Sequence, residues 1–288
     1  MERFFKLRER NTTVKTEFIA GMTTFFAMVY ILMVNANMFA DPFGDGSNPL
    51  GVSYGAIYIA TAISAVVGTI LAGILANLPL AQASGMGLYY LLGLTVDGFY
   101  AQLQIRFVSP FKAFGEFTSQ SLFKVFTEGF DFSAYTAKHS SANLILTILT
   151  TALAFCMVDM FDTLGTLYAA CERANLLDEK GEPLNMNKGM LSDAIATSVG
   201  AMCGTSTVTT FSEVNAGVAA GGRTGLTSVF CGLFFFVAMF LGHCGSVYRH
   251  AAFDPLIDRC LLTVTEMHNI YVYSLCKHLS CTGAHHGV

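Results

Sequence analysis

The stretch VDMFDTLGT, Val158 to Thr166, closes a long apolar run. No Asp, Glu, Lys or Arg occurs between Ser140 and Val158, and then Asp159 and Asp162 stand three residues apart. On a helix, Asp159, Asp162, Thr163 and Thr166 fall within about 100° of arc, so they form one polar face. An Asp at the centre of a lipid-facing helix costs about 3 kcal/mol. A face that concentrates two of them looks into protein or water. Acids inside a membrane serve by default as substrate contacts, proton relays or counter-ions. The plainer reading shifts the helix so that both sit at the membrane edge, facing water without a task.

The rest of the chain supports a membrane setting. It has 288 residues, 53% hydrophobic and only 12% charged, where a soluble domain is nearer a quarter charged. Phe18–Ala40, Gly46–Val96, Ser140–Val158, Ala194–Ser212 and Thr224–Tyr248 lack charged residues altogether. About 20 apolar residues span a bilayer, so the sequence predicts an all-α polytopic membrane protein rather than a very apolar soluble bundle. A net charge of -4 points to no nucleic-acid partner. The basic residues at the N-terminus precede a span too long for a cleavable signal. Eight cysteines lie scattered without CxxC pairs, so no disulfide framework is expected. Cys156, Cys171, Cys203 and Cys231 fall in or beside apolar spans, where Cys acts as a small buried residue. Neither a metal nor a cofactor is implied.

Four regions follow from charge and breaker residues. Residues 1–96 hold the first three membrane segments: a span at about 17–40, a second at about 54–76 ending before Pro79, and a third starting about Ala81 with a short helical part. Arg3, Lys6, Arg8, Arg10 and Lys15 against Glu2 and Glu9 favour a cytoplasmic N-terminus. Residues 97–141 mix charges with aromatics and predict an extramembrane or interfacial connector. Residues 142–242 carry spans at about 142–171, 189–204 and 224–242, with a short helix ending about Gly221. Residues 243–288 differ again, with six of the seven histidines and four of the eight cysteines. This tail is either metal-binding or unrelated to the fold, and its spacings fit no zinc pattern.

An internal echo links IATAISAVVGT (59–69) with IATSVGAMCGT (195–205), pairing Thr61 with Thr197 and Thr69 with Thr205. Each copy precedes a Gly- or Thr-rich interruption, as two inverted repeats with broken helices require. In the second copy TSTVTTF favours extended backbone. Ser212 is placed to cap a helix starting at Glu213. A helix N-terminus inside the membrane offers free N–H groups and a positive dipole end. Glu213 and Asn215 would stand at its mouth, suited to a planar ligand rich in ring N and N–H groups. A simple first-turn capping role is the plainer reading of Glu213. GMGLYY, residues 85–90, is the expected partner break.

Taken in order, FFKLRERNTTVKTEFIAGMTTFFAMVYILMVN, GMGL, VDMFDTLGTL, GTSTVTTFSE and AGVAAGGRTGLT resemble the AzgA-like purine permeases. These belong to the nucleobase–cation symporter-2, or nucleobase–ascorbate transporter, superfamily. The resemblance covers about residues 1–96 and 125–242. It implies two inverted repeats of seven membrane segments, a core beside a gate domain, and segments three and ten that each join a short strand to a helix. It implies uptake of hypoxanthine, adenine or guanine with protons across the plasma membrane. Asp159 looks like the segment-eight acid that contacts the purine, and Asp162 like its neighbour supporting the site or the proton step, with Thr163 on the same stripe. Glu213 looks like the segment-ten acid that binds the base. Tyr89 replaces the Asn that the resemblance places beside the substrate.

The resemblance also implies missing sequence. The chain passes from segment three almost directly to the lead-in of segment eight, and the pattern stops after about Leu241. The expectation is therefore a partial 7+7 core, internally deleted and C-terminally truncated, inactive alone because much of the gate domain is missing. The alternative is a non-transporting fragment that associates with a full-length relative or as a homo-oligomer. An intramembrane aspartyl protease is disfavoured, because both aspartates lie on one helix and no GxGD occurs.

Overall fold

The computed structural model describes residues 2–85 apart from 43–45, 47 and 49, and residues 109–240 apart from 128, 131 and 137–139. Tyr89, most of GMGLYY, the first part of the 97–141 connector and the whole of the 243–288 tail lie outside these residues.

The described chain is helical. A short turn, α1 (Glu2–Phe5), precedes α2 (Val14–Met28) and α3 (Tyr30–Ala40). Thr13 starts α2 from an extended conformation, its hydroxyl accepting from the Thr16 amide at 3.2 Å. α2 and α3 form one 27-residue apolar stretch, Val14–Ala40, rather than two spans. At Val29 the Leu32 amide bonds three residues back, at 3.3 Å, which tightens the step between them. α4 (Tyr54–Leu71) is capped by Ser53 and runs into a π turn over Ala72–Ala76. Asn77 at φ 52° then ends the helix in the left-handed region, as Pro79 requires a break nearby. α5 (Pro110–Gln120), α6 (Lys124–Thr127) and α7 (Ser133–Thr136) are followed by α8 (Ser141–Arg173), α9 (Met186–Cys203), α10 (Val214–Ala219) and α11 (Gly225–Phe240). Val14–Ala40, Tyr54–Ala76 and Ser141–Arg173 are each long and apolar enough to cross a membrane, and α11 is a shorter apolar helix.

Where the third segment was expected to start, the chain is extended, as the short strand implied by the resemblance requires. β1 (Gln82–Ser84) pairs antiparallel with β2 (Val208–Thr210), in the register Gln82↔Thr210, Ala83↔Thr209 and Ser84↔Val208. Both strands are fully buried, which satisfies the condition for non-helical backbone inside a membrane protein. The pairing relates two halves of the core. Thr69 on α4 accepts from the Gln82 amide and donates to the Gln82 carbonyl, both at 3.0 Å. Thr197 on α9 does the same for Val208, at 3.2 and 2.7 Å. Gly68 and Ala196, the residues before these two threonines, face one another where α4 crosses α9. The inverted relation therefore aligns Thr69 with Thr197. The sequence echo had aligned Thr61 with Thr197; its small, common residues matched eight positions out of register.

One end of the core is tied by four polar side chains. Glu17, fully buried, accepts from the amides of Arg223, Thr224 and Thr227 and from the Thr227 hydroxyl, so its carboxylate caps α11. Arg10 Nη1 donates to the carbonyls of Asn77 and Arg223, Asn185 Nδ2 to that of Ala76, and Arg223 Nη1 to that of Ala174. At the other end α5 lies across the start of α4, where the Ser53 hydroxyl donates to Glu116 at 2.8 Å. The amide of Phe123 there meets the carbonyl of Met202 near the end of α9.

Candidate functional site

β2 is the centre of the site, because every sequence-predicted acid approaches it. The stripe on α8 faces it through threonines. Thr209 on β2 reaches Asp162 Oδ2 at 3.3 Å and Thr163 Oγ1 at 2.9 Å, with one proton to place between them. Thr197 lies 3.5 Å from Asp159 Oδ2, but its short bond to the Val208 carbonyl claims its proton, so Asp159 is held loosely. Thr163 is fully buried, whereas Asp159 is half-buried and Asp162 exposed. The polar face predicted from spacing thus points at the strand pair with its two carboxylates left open beside it.

Glu213 lies three residues beyond β2. Its side chain accepts from the Tyr30 hydroxyl at 2.6 Å, across 183 residues, and from Ser212 at 3.2 Å. The short helix begins at Val214 with Glu213 at its N-cap in helical conformation, and the cap makes no side-chain hydrogen bond. Ser212 therefore serves the carboxylate and not the helix end, unlike the expectation. Asn215 donates through Nδ2 to the Ser212 carbonyl at 3.0 Å. Its Oδ1 is buried with no hydrogen-bond partner among the described residues. Asp162 is reached from β2 by Thr209 and Glu213 stands three residues beyond β2, so the acids of α8 and of the second interruption flank the same strand.

Three further residues belong to this cluster. Asp193 on α9 is 3% exposed and accepts from Gln82 Nε2 at 3.1 Å and from Thr163 at 2.9 Å. It interacts electrostatically with both Asp159 and Asp162. Gln82 also reaches Thr210 at 3.3 Å, so one amide ties both strands to the buried acid. Tyr30 is the third, through Glu213. Asp193 had a usable signal: it directly precedes the uncharged run Ala194–Ser212, as Asp159 directly follows the run Ser140–Val158. Tyr30 and Gln82 carried none, since their partners are distant in sequence. Tyr89 lies outside the described residues. Among the described residues no group of three His, Cys, Asp or Glu side chains is disposed to hold a metal ion.

A sequence profile of the permease family, that of the xanthine and uracil permeases, matches residues 103–247, half of the chain. The chain belongs to this family. It is 27% identical to the adenine permease AdeP of Escherichia coli (strain K12), over 89% of the chain and 78% of AdeP. It is 28% identical to the guanine/hypoxanthine permease PbuO of Bacillus subtilis (strain 168), over 82% of the chain and 77% of PbuO. PbuG of the same strain, also a guanine/hypoxanthine permease, is 26% identical over 89% of the chain and 82% of PbuG. As a member of the permease family the chain is an integral, multi-pass membrane protein. The AdeP alignment runs 357 positions while this chain has 288 residues. That relative therefore has internal stretches with no counterpart here.

Proposed function

We propose that this chain is the substrate-binding core of a purine nucleobase permease. The observation that carries this is the set of acceptors around β2: Asp159 and Asp162 on α8, Glu213 at the head of α10, and the unpartnered Asn215 Oδ1. A buried acceptor without a partner is what a ring N–H satisfies. The names of the relatives, permeases for adenine, guanine and hypoxanthine, agree with that ligand chemistry. Asp159 and Glu213 bind the base, and Asp162 with Thr163 supports the site and takes the coupling proton. Thr163 bonds to Asp193, which brings that buried acid into the same proton relay.

Transport is a separate matter. Alternating access needs one bundle to move against another around the site. The chain lacks internal stretches that AdeP has, and among the described residues none in the apolar part of α8 is buried, whereas most of the other two long spans is. The chain therefore binds but does not transport by itself. Binding tests the ligand class: labelled hypoxanthine on the purified chain should be displaced by adenine and guanine and not by uracil. Asp159→Asn should weaken it roughly tenfold, since each N–H bond to a desolvated carboxylate is worth about 1.5–3 kcal/mol. Displacement by uracil as readily as by adenine would contradict the purine assignment.

A further inference from the structure

A second polar cluster lies at the Ser84–Val208 end of the strand pair, and its described members carry no charge. Its hub is Asn35 on α3, which is fully buried. Asn35 Nδ2 donates to Thr61 Oγ1 at 2.7 Å and to Thr205 Oγ1 at 2.8 Å, using both of its protons. Asn35 Oδ1 lies 3.3 Å from the Ser206 hydroxyl. Thr205 and Ser206 are the residues that lead into β2, and both also touch the first interruption. Thr205 Oγ1 is 2.9 Å from Ser84 Oγ, and Ser206 Oγ reaches the Gly85 carbonyl at 3.0 Å. The backbone closes the same corner, with the Gly85 amide on the Thr207 carbonyl at 2.7 Å.

The proton count makes this a directed network. The Ser64 proton goes to the Thr61 carbonyl and the Thr61 proton to the Ile57 carbonyl, so both hydroxyls accept from the cluster. One order uses each proton once: Asn35 to Thr205, Thr205 to Ser84, Ser84 to Ser64 and Ser64 to the Thr61 carbonyl. Such chains polarise along their length, and in a low-dielectric interior the loss of one member leaves others unpaired. Asn35 is the member from a separate span, 170 residues from Thr205.

We propose that Asn35 is a positioning residue that locks the two interruptions together. By holding Thr205 and Ser206 against Ser84 and Gly85, it fixes β2 relative to β1. It thereby sets where Glu213, three residues beyond β2, presents its carboxylate. The consequence for ligand binding rests on the purine reading above; the lock itself does not.

Hydrogen exchange on the purified full chain separates the two. Asn35→Ala should speed exchange in peptides covering 82–85 and 205–210 together, on the order of tenfold, with Val14–Met28 and Gly225–Phe240 unchanged. Thr205→Val should reproduce this, and serves where Asn35→Ala does not purify. Thr61→Val removes the α4 contact alone and should leave both strands protected. Hypoxanthine affinity should fall with the lost protection in Asn35→Ala and not in Thr61→Val. Unchanged exchange in either strand region would overturn the lock. Faster exchange with unchanged hypoxanthine affinity would overturn the positioning role. Absence of hypoxanthine binding in the unsubstituted chain would count against the purine reading, and the exchange result would still decide the lock.

Discussion

Two buried acids show how similar residues differ in purpose. Glu17 has four donors, three of them backbone amides at one helix start, and behaves as a remote N-cap for α11. Asp193 is held by two side chains, Gln82 and Thr163, which come from the strand pair and from the α8 stripe. Removing Asp193 takes one of two acceptors from Gln82 Nε2 and leaves the Thr163 hydroxyl only Thr209, at about 1–3 kcal/mol for a buried group left unpaired. Asp193→Ala should therefore lower the melting temperature in detergent clearly, and Asp193→Asn, which keeps one carbonyl acceptor, by less. Equal melting for Asp193→Ala and the unsubstituted chain would remove Asp193 from the network. Asp159, Asp162 and Glu213 were legible in the sequence because a charge inside an apolar run is costly and so conspicuous. Tyr30 was not, because a tyrosine is unremarked in a membrane helix until its partner is known.

The elements were legible to the extent that apolarity and breakers mark them. The second span was expected at 54–76 and lies at Tyr54–Ala76, and the extended TSTVTTF segment contains β2. The strand that opens the third segment was implied by the resemblance but was not legible in the residue pattern itself. Gln82–Ser84 is too short and too polar to announce a strand, and its extended state depends on Thr69 and on pairing with β2. The repeat was visible but its register was not, since the relation rests on which threonine grips which strand and not on residue identity. The crossing of α4 and α9 gives a test. A Cβ built on Gly68 would lie 2.8 Å from the Ala196 Cβ and 2.9 Å from Gln82 Oε1. Gly68→Ala should cost about 1–3 kcal/mol through overpacking and loosen both strands. Gly115 on α5 meets nothing within 4 Å, so Gly115→Ala should be neutral. Thermal melting of the two variants side by side checks this, and a Gly68→Ala protein as stable as Gly115→Ala would refute the close crossing.

At the scale of the molecule, the polar ends sort into two groups. Arg10, Asn77, Ala174, Asn185 and Arg223 meet at one end, and Ser53, Glu116, Phe123 and Met202 at the other. A basic segment before a first span favours the cytoplasmic side, so a cysteine introduced at the exposed Ser119 should label from outside intact cells and one at the exposed Glu182 should not. The reverse pattern would invert the topology. The uncovered apolar part of α8 leads into the half-open acids Asp159 and Asp162, which fits a core that works against a second bundle. Expressed alone, the chain should show no saturable hypoxanthine uptake at matched surface expression. The most direct test of the central claim is equilibrium binding of radiolabelled hypoxanthine to the detergent-purified chain, with and without Glu213→Ala. Saturable binding that Glu213→Ala abolishes or weakens roughly tenfold is the predicted result. Absence of saturable binding to a well-folded chain, or equal affinity in the variant, would contradict it.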